Sequence, residues 1–368
     1  MVSLDPMRDM GSALELVITG GAGFVGSSLA LGLRARHPSW RIRAFDNLRR
    51  RGSELSVARL QGKRVEFVHG DVRNRADLDE LGCFDVLIDC SAEPSVLAGL
   101  SGGPTYVVDT NLGGTLNCLE VVRRHEAGIM FLSTSRVYPI DPLERLPYEE
   151  AESRFQPAAQ LEGHGWSSRG INEDFPLQGA RSLYGATKLC SELMIQEYAY
   201  TYNLPAVIDR CGVLSGPWQM GKVDQGVIMH WVASHVFERP LRYIGYGGTG
   251  KQVRDVLHAD ELVALVDRQL AELETLRGDV FNIGGGVASS LSLRELTELC
   301  QAATGKRVPI TSEPVTRQAD LRIYLSDCTK ACARFGFAPR CTPEALVEDI
   351  ARWVVDQRVA LERALFAT

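Results

Sequence analysis

Three side chains have the types and spacing of a proton-transfer site. Tyr184 and Lys188 stand four residues apart in YGATK, and on a helix that spacing sets the ammonium beside the phenol. A phenol with a pKa of about 10 is a poor base at neutral pH, and a neighbouring cation favours its phenolate. Thr134, in the cluster LSTS, offers a hydroxyl to hold the oxygen that Tyr184 would deprotonate, with Ser133 as the neighbouring alternative. A Tyr–Lys pair also occurs on ordinary solvated helix faces, and it is Thr134 that turns this one toward chemistry.

A second set fits a dinucleotide. TGGAGFVG brings Gly20, Gly23 and Gly26 between a strand and a helix, where bare backbone lets a pyrophosphate approach helix N-terminal amides. Asp46 follows about twenty residues later at the end of the next strand, placed to accept from both adenosine ribose hydroxyls. The same carboxylate repels a 2′-phosphate, so NAD is expected rather than NADP. Arg49, Arg50 and Arg51 pull toward phosphate, although an arginine run in a loop also reads as a solvated face. Asp71, in GDV, is placed to meet the adenine edge or simply to end a strand.

The elements that must position these residues are legible as periodic segments. Apolar runs at 14–20, 41–46, 65–71, 85–90, 128–135 and 205–214 read as strands; SSLALGLRARHP, 110–125 and 184–203 read as helices. Their alternation predicts an α/β protein with a doubly wound parallel sheet of the Rossmann type over 13–212. A smaller substrate domain is expected over 213–368, with some segments crossing back. The stretch 138–182 is too long for an ordinary connection, and both its ends stand at the reaction centre, so a lid is expected there. His164 within it reads as solvated.

Composition bounds the class. The 368 residues are 45% hydrophobic and 23% charged, which describes a folded globular chain. A formal net charge of −6 offers no general attraction to nucleic acid or to an anionic membrane. Nine scattered cysteines without a C-x-x-C pair argue against a metal site or a disulfide framework and fit reduced thiols. No stretch reaches about eighteen consecutive apolar residues, and the first dozen residues lack a signal-peptide core, so a soluble cytoplasmic protein with a frayed N-terminus is expected.

In combination TGGAGFVG, Asp46, LSTSRVY and YGATK resemble the extended short-chain dehydrogenase/reductase family, in its branch of nucleotide-sugar epimerases and dehydratases. Within that branch RSLYGATKLCSELMIQEY, RCGVLSGPWQMGKVDQG and YIGYGGTGKQVRDVLH are similar to the CDP-paratose 2-epimerase subgroup. The resemblance implies Thr134, Tyr184 and Lys188 as catalytic residues. It implies NAD held by Gly20, Gly23, Phe24, Val25, Gly26, Asp46, Asn47, Asp71, Val72, Ser91, Ala92, Asn111, Tyr184 and Lys188. A nucleotide diphosphate sugar would meet Thr134, Arg210, Gln219, Lys222, Gln225, Arg254, Arg317 and Asp320. Trp218, in the same loop, reads equally as core.

The implied reaction is C2 epimerisation of a CDP-hexose such as CDP-paratose, through a transient ketosugar that a lid would retain. A 4-epimerase, a ketosugar-releasing dehydrogenase and a dinucleotide-sensing regulator stay open as alternatives. The resemblance further implies a homodimer or higher homo-oligomer packed through 110–125 and 184–203. Two departures stand out. Ser135 and Arg136 follow Thr134 where the dehydratases carry an acidic pair, and Arg136 and Pro139 replace the subgroup's usual lysine and glycine.

Overall fold

The computed structural model describes residues 13–100, 103–221 and 225–366. The stretch expected to fray therefore lies largely outside the described residues.

Strands β1 (Glu15–Thr19), β2 (Arg41–Asp46), β3 (Glu66–His69), β4 (Val86–Asp89) and β5 (Gly128–Thr134) pair in parallel. Two later strands complete a seven-stranded sheet in the order Arg277–Ile283, Ala206–Cys211, β5, β4, β1, β2, β3. The chain runs outward from β1 to β3 and returns to β4 on the other side of β1. That reversal opens a crevice at the carboxyl ends of β1 and β4, where ligands bind in doubly wound sheets. This is the Rossmann-type architecture read from the sequence.

Helices cover both faces of the sheet, so its strands are apolar almost throughout; all seven residues of β5 are buried. One core gathers Leu16, Ile18, Leu29, Leu33 and Ile42, and the opposite face packs Val17, Phe45, Leu87, Leu119 and Phe131. The first helix, α1 (Phe24–Arg36), starts directly on the glycine turn and ends ahead of Pro38, which cannot continue it.

The apolar run 205–214 is two strands. Ala206–Cys211 belongs to the large sheet; after Gly212, Val213–Ser215 joins a second sheet with Val253–His258, Ser290–Ser292 and Ile323–Tyr324. The chain crosses back afterwards: helix Ala259–Glu272 packs on α1, bringing the Val263 side chain against Gly32, and Arg277–Ile283 forms the edge of the large sheet. The helix read over 110–125 is helical throughout and begins earlier, at Thr105, passing through a π-helical stretch, Asp109–Gly113, into Gly114–His125.

The segment 138–182 departs from expectation. It folds into a hairpin, Tyr148–Glu150 with Phe155–Pro157, and a small sheet of Glu162–Gly163, Trp166–Ser167 and Gly170–Ile171. Its apolar side chains Tyr138, Leu143, Ile171 and Phe175 pack with Leu321 and Tyr324 in a cluster of their own. Arg154 pairs with Glu295 at 2.6 Å, and Ile171 exchanges backbone bonds with Leu325 and Asp327. The segment is a strap across the C-terminal part of the chain, and none of its residues lines the cavity that Thr134 and Tyr184 face.

Among the described residues no helix is long and apolar enough to cross a membrane, and no group of His, Cys, Asp or Glu is arranged to hold a metal ion.

Candidate active site

A cavity of about 890 Å³ opens at the carboxyl ends of β1, β2 and β4 and runs to the second sheet. Its first end is backbone. Gly20 adopts φ +62°, and a Cβ there would stand 2.7 Å from the Cys90 carbonyl oxygen. A Cβ on Gly26 would come within 2.2 Å of the Gly20 carbonyl oxygen. Only hydrogen fits at either place, so the turn closes tightly and presents the first amides of α1, which have no partner within the helix, to the cavity. Phe24 and Val25 lie on that wall with Gly20, Gly23 and Gly26. The cradle fits a dinucleotide pyrophosphate against a helix N-terminus.

Asp46 lies on the same wall, where it accepts from the backbone amides of Ala22 at 3.1 Å and Leu48 at 2.8 Å. Burial raises its pKa and these amides oppose the rise. Two oxygens carry about four acceptor sites, so the carboxylate keeps capacity for ribose hydroxyls. Asn47, Val72, Ser91 and Ala92 line the wall nearby. Asp71 does not: its carboxylate is taken up by Arg73 at 2.6 Å and by Asn47 at 2.9 Å. Asn111 is also off the wall. Its side chain accepts from the Glu93 amide at 2.7 Å and donates to Thr187 at 3.1 Å, tying the loop after β4 to the helix that carries Tyr184.

The middle of the cavity holds Thr134 and Tyr184. β5 decides between the two hydroxyls, since successive side chains of a strand point to opposite faces. Ser133 turns inward and donates to Glu192, whereas Thr134 faces the cavity. Helix Leu183–Tyr202 begins at Ser182, whose hydroxyl accepts from the Gly185 amide at 3.1 Å, so Tyr184 sits in its first turn.

Thr134 and Tyr184 face the cavity together. Burial pushes the Tyr184 phenol up to about 12, with the Thr134 hydroxyl and the charge of Arg136 acting against the rise. Lys188 lies one helical turn on, beneath the wall, with its ammonium 3.7 Å from the centre of the Phe131 ring. Burial lowers its pKa while Asp89 pulls the other way.

The far end is built from side chains. Arg254 donates to Asp320 at 2.9 Å and to the Leu321 carbonyl at 2.7 Å, and both acid and base line the cavity with Arg317. Gln219 and Gln225 are on the wall as well. Gln219 is held by Ser215 at 2.9 Å and by the Leu214 carbonyl at 3.0 Å, and Gln225 accepts from Arg50. Lys222 lies outside the described residues.

Arg210 is a correction. Its guanidinium is buried in a two-pronged pair with Glu192, 2.7 Å at the closest, and bonds the Tyr138 hydroxyl at 3.2 Å, so it serves the interior and is absent from the cavity wall.

Ser135 and Arg136, singled out in the sequence only as departures from the dehydratase pattern, line the cavity beside Thr134. The structure also adds residues that the sequence did not single out. Ala364 and Leu365 reach the cavity from the last helix, and nothing in the sequence signals that. Trp218 does both jobs left open for it: it lines the cavity and packs against Trp353, with Arg59 stacked 4.2 Å from its ring centre.

The chain matches the NAD dependent epimerase/dehydratase family over residues 16–284. It is similar to the CDP-paratose 2-epimerase of Salmonella typhi, with 32% identity over 92% of this chain and 99% of that protein. It is also similar to a dTDP-glucose 4,6-dehydratase of Streptomyces antibioticus, with 30% identity over 94% of this chain and 93% of that one. A solved structure of a Streptomyces venezuelae dTDP-glucose 4,6-dehydratase double mutant with NAD bound has 26% identity and a TM-score of 0.76, covering 95% of this chain and 99% of that one.

Proposed function

We propose a function from the premise that the chain belongs to the NAD dependent epimerase/dehydratase family and is an NAD-dependent enzyme of the short-chain dehydrogenase/reductase type. It inverts C2 of a CDP-hexose such as CDP-paratose. The observation that carries this reading is the placement of Thr134 and Tyr184 together on the cavity wall, between the glycine turn and the Arg254–Asp320 pair.

NAD held by the glycine turn and Asp46 would supply the redox capacity that reversible oxidation of a sugar carbon requires. Tyr184 takes the proton of the sugar hydroxyl and later returns it. Thr134 fixes the oxygen concerned, and Lys188 serves the nicotinamide ribose and tunes the phenol. Arg254 and Arg317 hold the diphosphate, the part of the substrate that must stay still while the ketosugar turns.

The sequence favours epimerisation over elimination: no carboxylate directly follows Thr134, where the dehydratases carry the acidic pair that protonates a departing hydroxyl. The choice of C2 rests on the likeness to the Salmonella typhi CDP-paratose 2-epimerase.

The enzyme works as a homodimer in the cytoplasm, where its nine unpaired thiols stay reduced. Leu193, 54% exposed, and Tyr200, 88% exposed, leave an apolar face on helix Leu183–Tyr202 for a second copy. Sedimentation as a monomer at micromolar concentration would contradict the dimer.

The reaction is tested by NMR of CDP-paratose turnover without added NAD, together with mass spectrometry of small molecules released on denaturing fresh protein. Inversion at C2 with released NAD is expected. Inversion at C4, a released ketosugar or no turnover of any CDP-hexose would overturn the reading.

A further inference from the structure

Lys188 stands four residues after Tyr184, and Glu192 follows four residues later on the same helix, so the three share one face. The proposed reaction makes no use of Glu192. We infer that Glu192 is a positioning residue: its buried carboxylate bridges two strands beside Thr134 and so sets the helix, and with it Tyr184, in register with the Thr134 hydroxyl. The inference rests on the epimerase reading for its purpose, but not for its geometry.

The carboxylate has a partner on each strand. One oxygen accepts from the Ser133 hydroxyl, and the other accepts from Arg210 Nη2 at 2.7 Å and Nε at 3.1 Å. Ser133 and Arg210 are paired in the parallel ladder, and the next pair along it is Thr134 with Cys211. Glu192 is therefore held one residue away from Thr134. A helix rises about 1.5 Å per residue, so roughly 12 Å of rigid helix separates this hold from Tyr184, and a slide at one end reaches the other undiminished.

A third element aims the guanidinium. Arg210 Nη1 donates to the Tyr138 hydroxyl at 3.2 Å, which donates to Asn282 Oδ1 at 2.8 Å. The Asn282 side chain donates to the Ile171 carbonyl at 2.8 Å, so the strap at 138–182 holds both ends of this chain of bonds. Burying a carboxylate and a guanidinium strips both of water, a cost that apolar side chains of similar volume avoid. What the ion pair adds is direction. Charged hydrogen bonds of this geometry form at one offset between helix and strands, whereas apolar contacts tolerate a slide.

The test removes the direction and keeps the volume. Glu192→Leu/Arg210→Met, in NAD-loaded full-length protein, leaves no charge unpaired and is expected to retain the fold by circular dichroism and the parent's NAD content. Its kcat should fall about ten- to a hundredfold with KM within about threefold, since a displacement of about 1 Å at the reacting groups costs that much. The 13Cζ resonance of Tyr184, assigned in tyrosine-labelled protein by its loss in Tyr184→Phe, is expected to move.

Should the double variant not fold, Ser133→Ala removes the β5 partner alone; kcat is expected to fall about three- to tenfold, and Ser133→Thr, which keeps the hydroxyl, to stay near the parent. A folded variant with kcat within about twofold of the parent, a KM that rises as far as kcat falls, or an unmoved Tyr184 resonance overturns the assignment. If no CDP-hexose turns over, the functional reading fails while the resonance still decides the role of Glu192.

Discussion

The two ends of the cavity are made of different materials. At the glycine turn the ligand-facing surface is backbone, shaped by Gly20 and Gly26 where a Cβ would strike the chain's own carbonyls. At the second sheet it is side chain: Arg254 against Asp320, Gln219 against Ser215, Arg50 reaching across to Gln225. A backbone surface is fixed within a few residues of sequence and serves one common ligand part, a pyrophosphate. A side-chain surface can be re-specified residue by residue, which suits the end that distinguishes one nucleotide sugar from another. Thr134 and Tyr184 stand where the two meet.

The largest expected effect is therefore at the seam. Tyr184→Phe should fold and retain NAD yet lose about 10²–10⁴ in turnover, since only the proton-carrying oxygen is gone. Activity within a few-fold of the parent would remove Tyr184 from the reaction.

Next is a break at the backbone end. Gly26→Ala must push the Gly20 carbonyl away, and overpacking of this kind costs about 1–3 kcal/mol. NAD affinity, measured by calorimetry on stripped protein, should fall roughly 10–100-fold, with the fold retained by circular dichroism. Unchanged affinity would mean that the turn can relax and that the cradle is not what holds the dinucleotide.

The matching break at the side-chain end is smaller and of another kind. Arg254→Gln removes charged hydrogen bonds, each worth about 1.5–3 kcal/mol. It should raise KM for the nucleotide sugar about tenfold while leaving NAD content as in the parent. A loss of NAD in this variant would erase the distinction between the two ends.

The smallest effect on catalysis is expected well away from both. Asp209 is buried in strand Ala206–Cys211, where burial raises its pKa to about 7 against the Gln269 amide bond at 2.8 Å. Asp209 Oδ2 and Gln269 Oε1 both lack a partner, and a proton on the carboxyl would let them bond to each other.

Because the folded pKa lies above the unfolded one, the stability from this group is complete below about pH 4 and is lost as pH rises through about 7. Asp209→Asn should keep turnover unchanged and remove that slope from denaturation midpoints measured between pH 4 and 8. An unchanged slope would place the titration elsewhere.

Local chemistry made much of this molecule legible. The glycine turn with Asp46 at the end of the next strand, and the four-residue step from Tyr184 to Lys188, are patterns whose geometry follows from hydrogen bonds between near neighbours in sequence. The same holds for the apolar runs of the parallel sheet, which read clearly because both of its faces are covered. What the sequence left open depended on partners far away in the chain. Whether Ser133 or Thr134 faces the cavity is settled by which side of β5 packs on helix Leu183–Tyr202.

Arg210 has the type of a phosphate ligand, and only the nearness of Glu192 across the core turns it into an interior ion pair. The strap at 138–182 holds enough apolar surface to seek burial, but its sequence does not say against what; Leu321 and Tyr324 supply that surface. Periodicity is written residue by residue, so the sequence by itself determined the elements, the turn and the spacing of Tyr184 and Lys188 on their helix. Contacts between elements close loops from 18 residues, Glu192 to Arg210, to 183, Arg136 to Ala319, and only the tertiary structure decided which charges met and which segment stayed clear of the cavity.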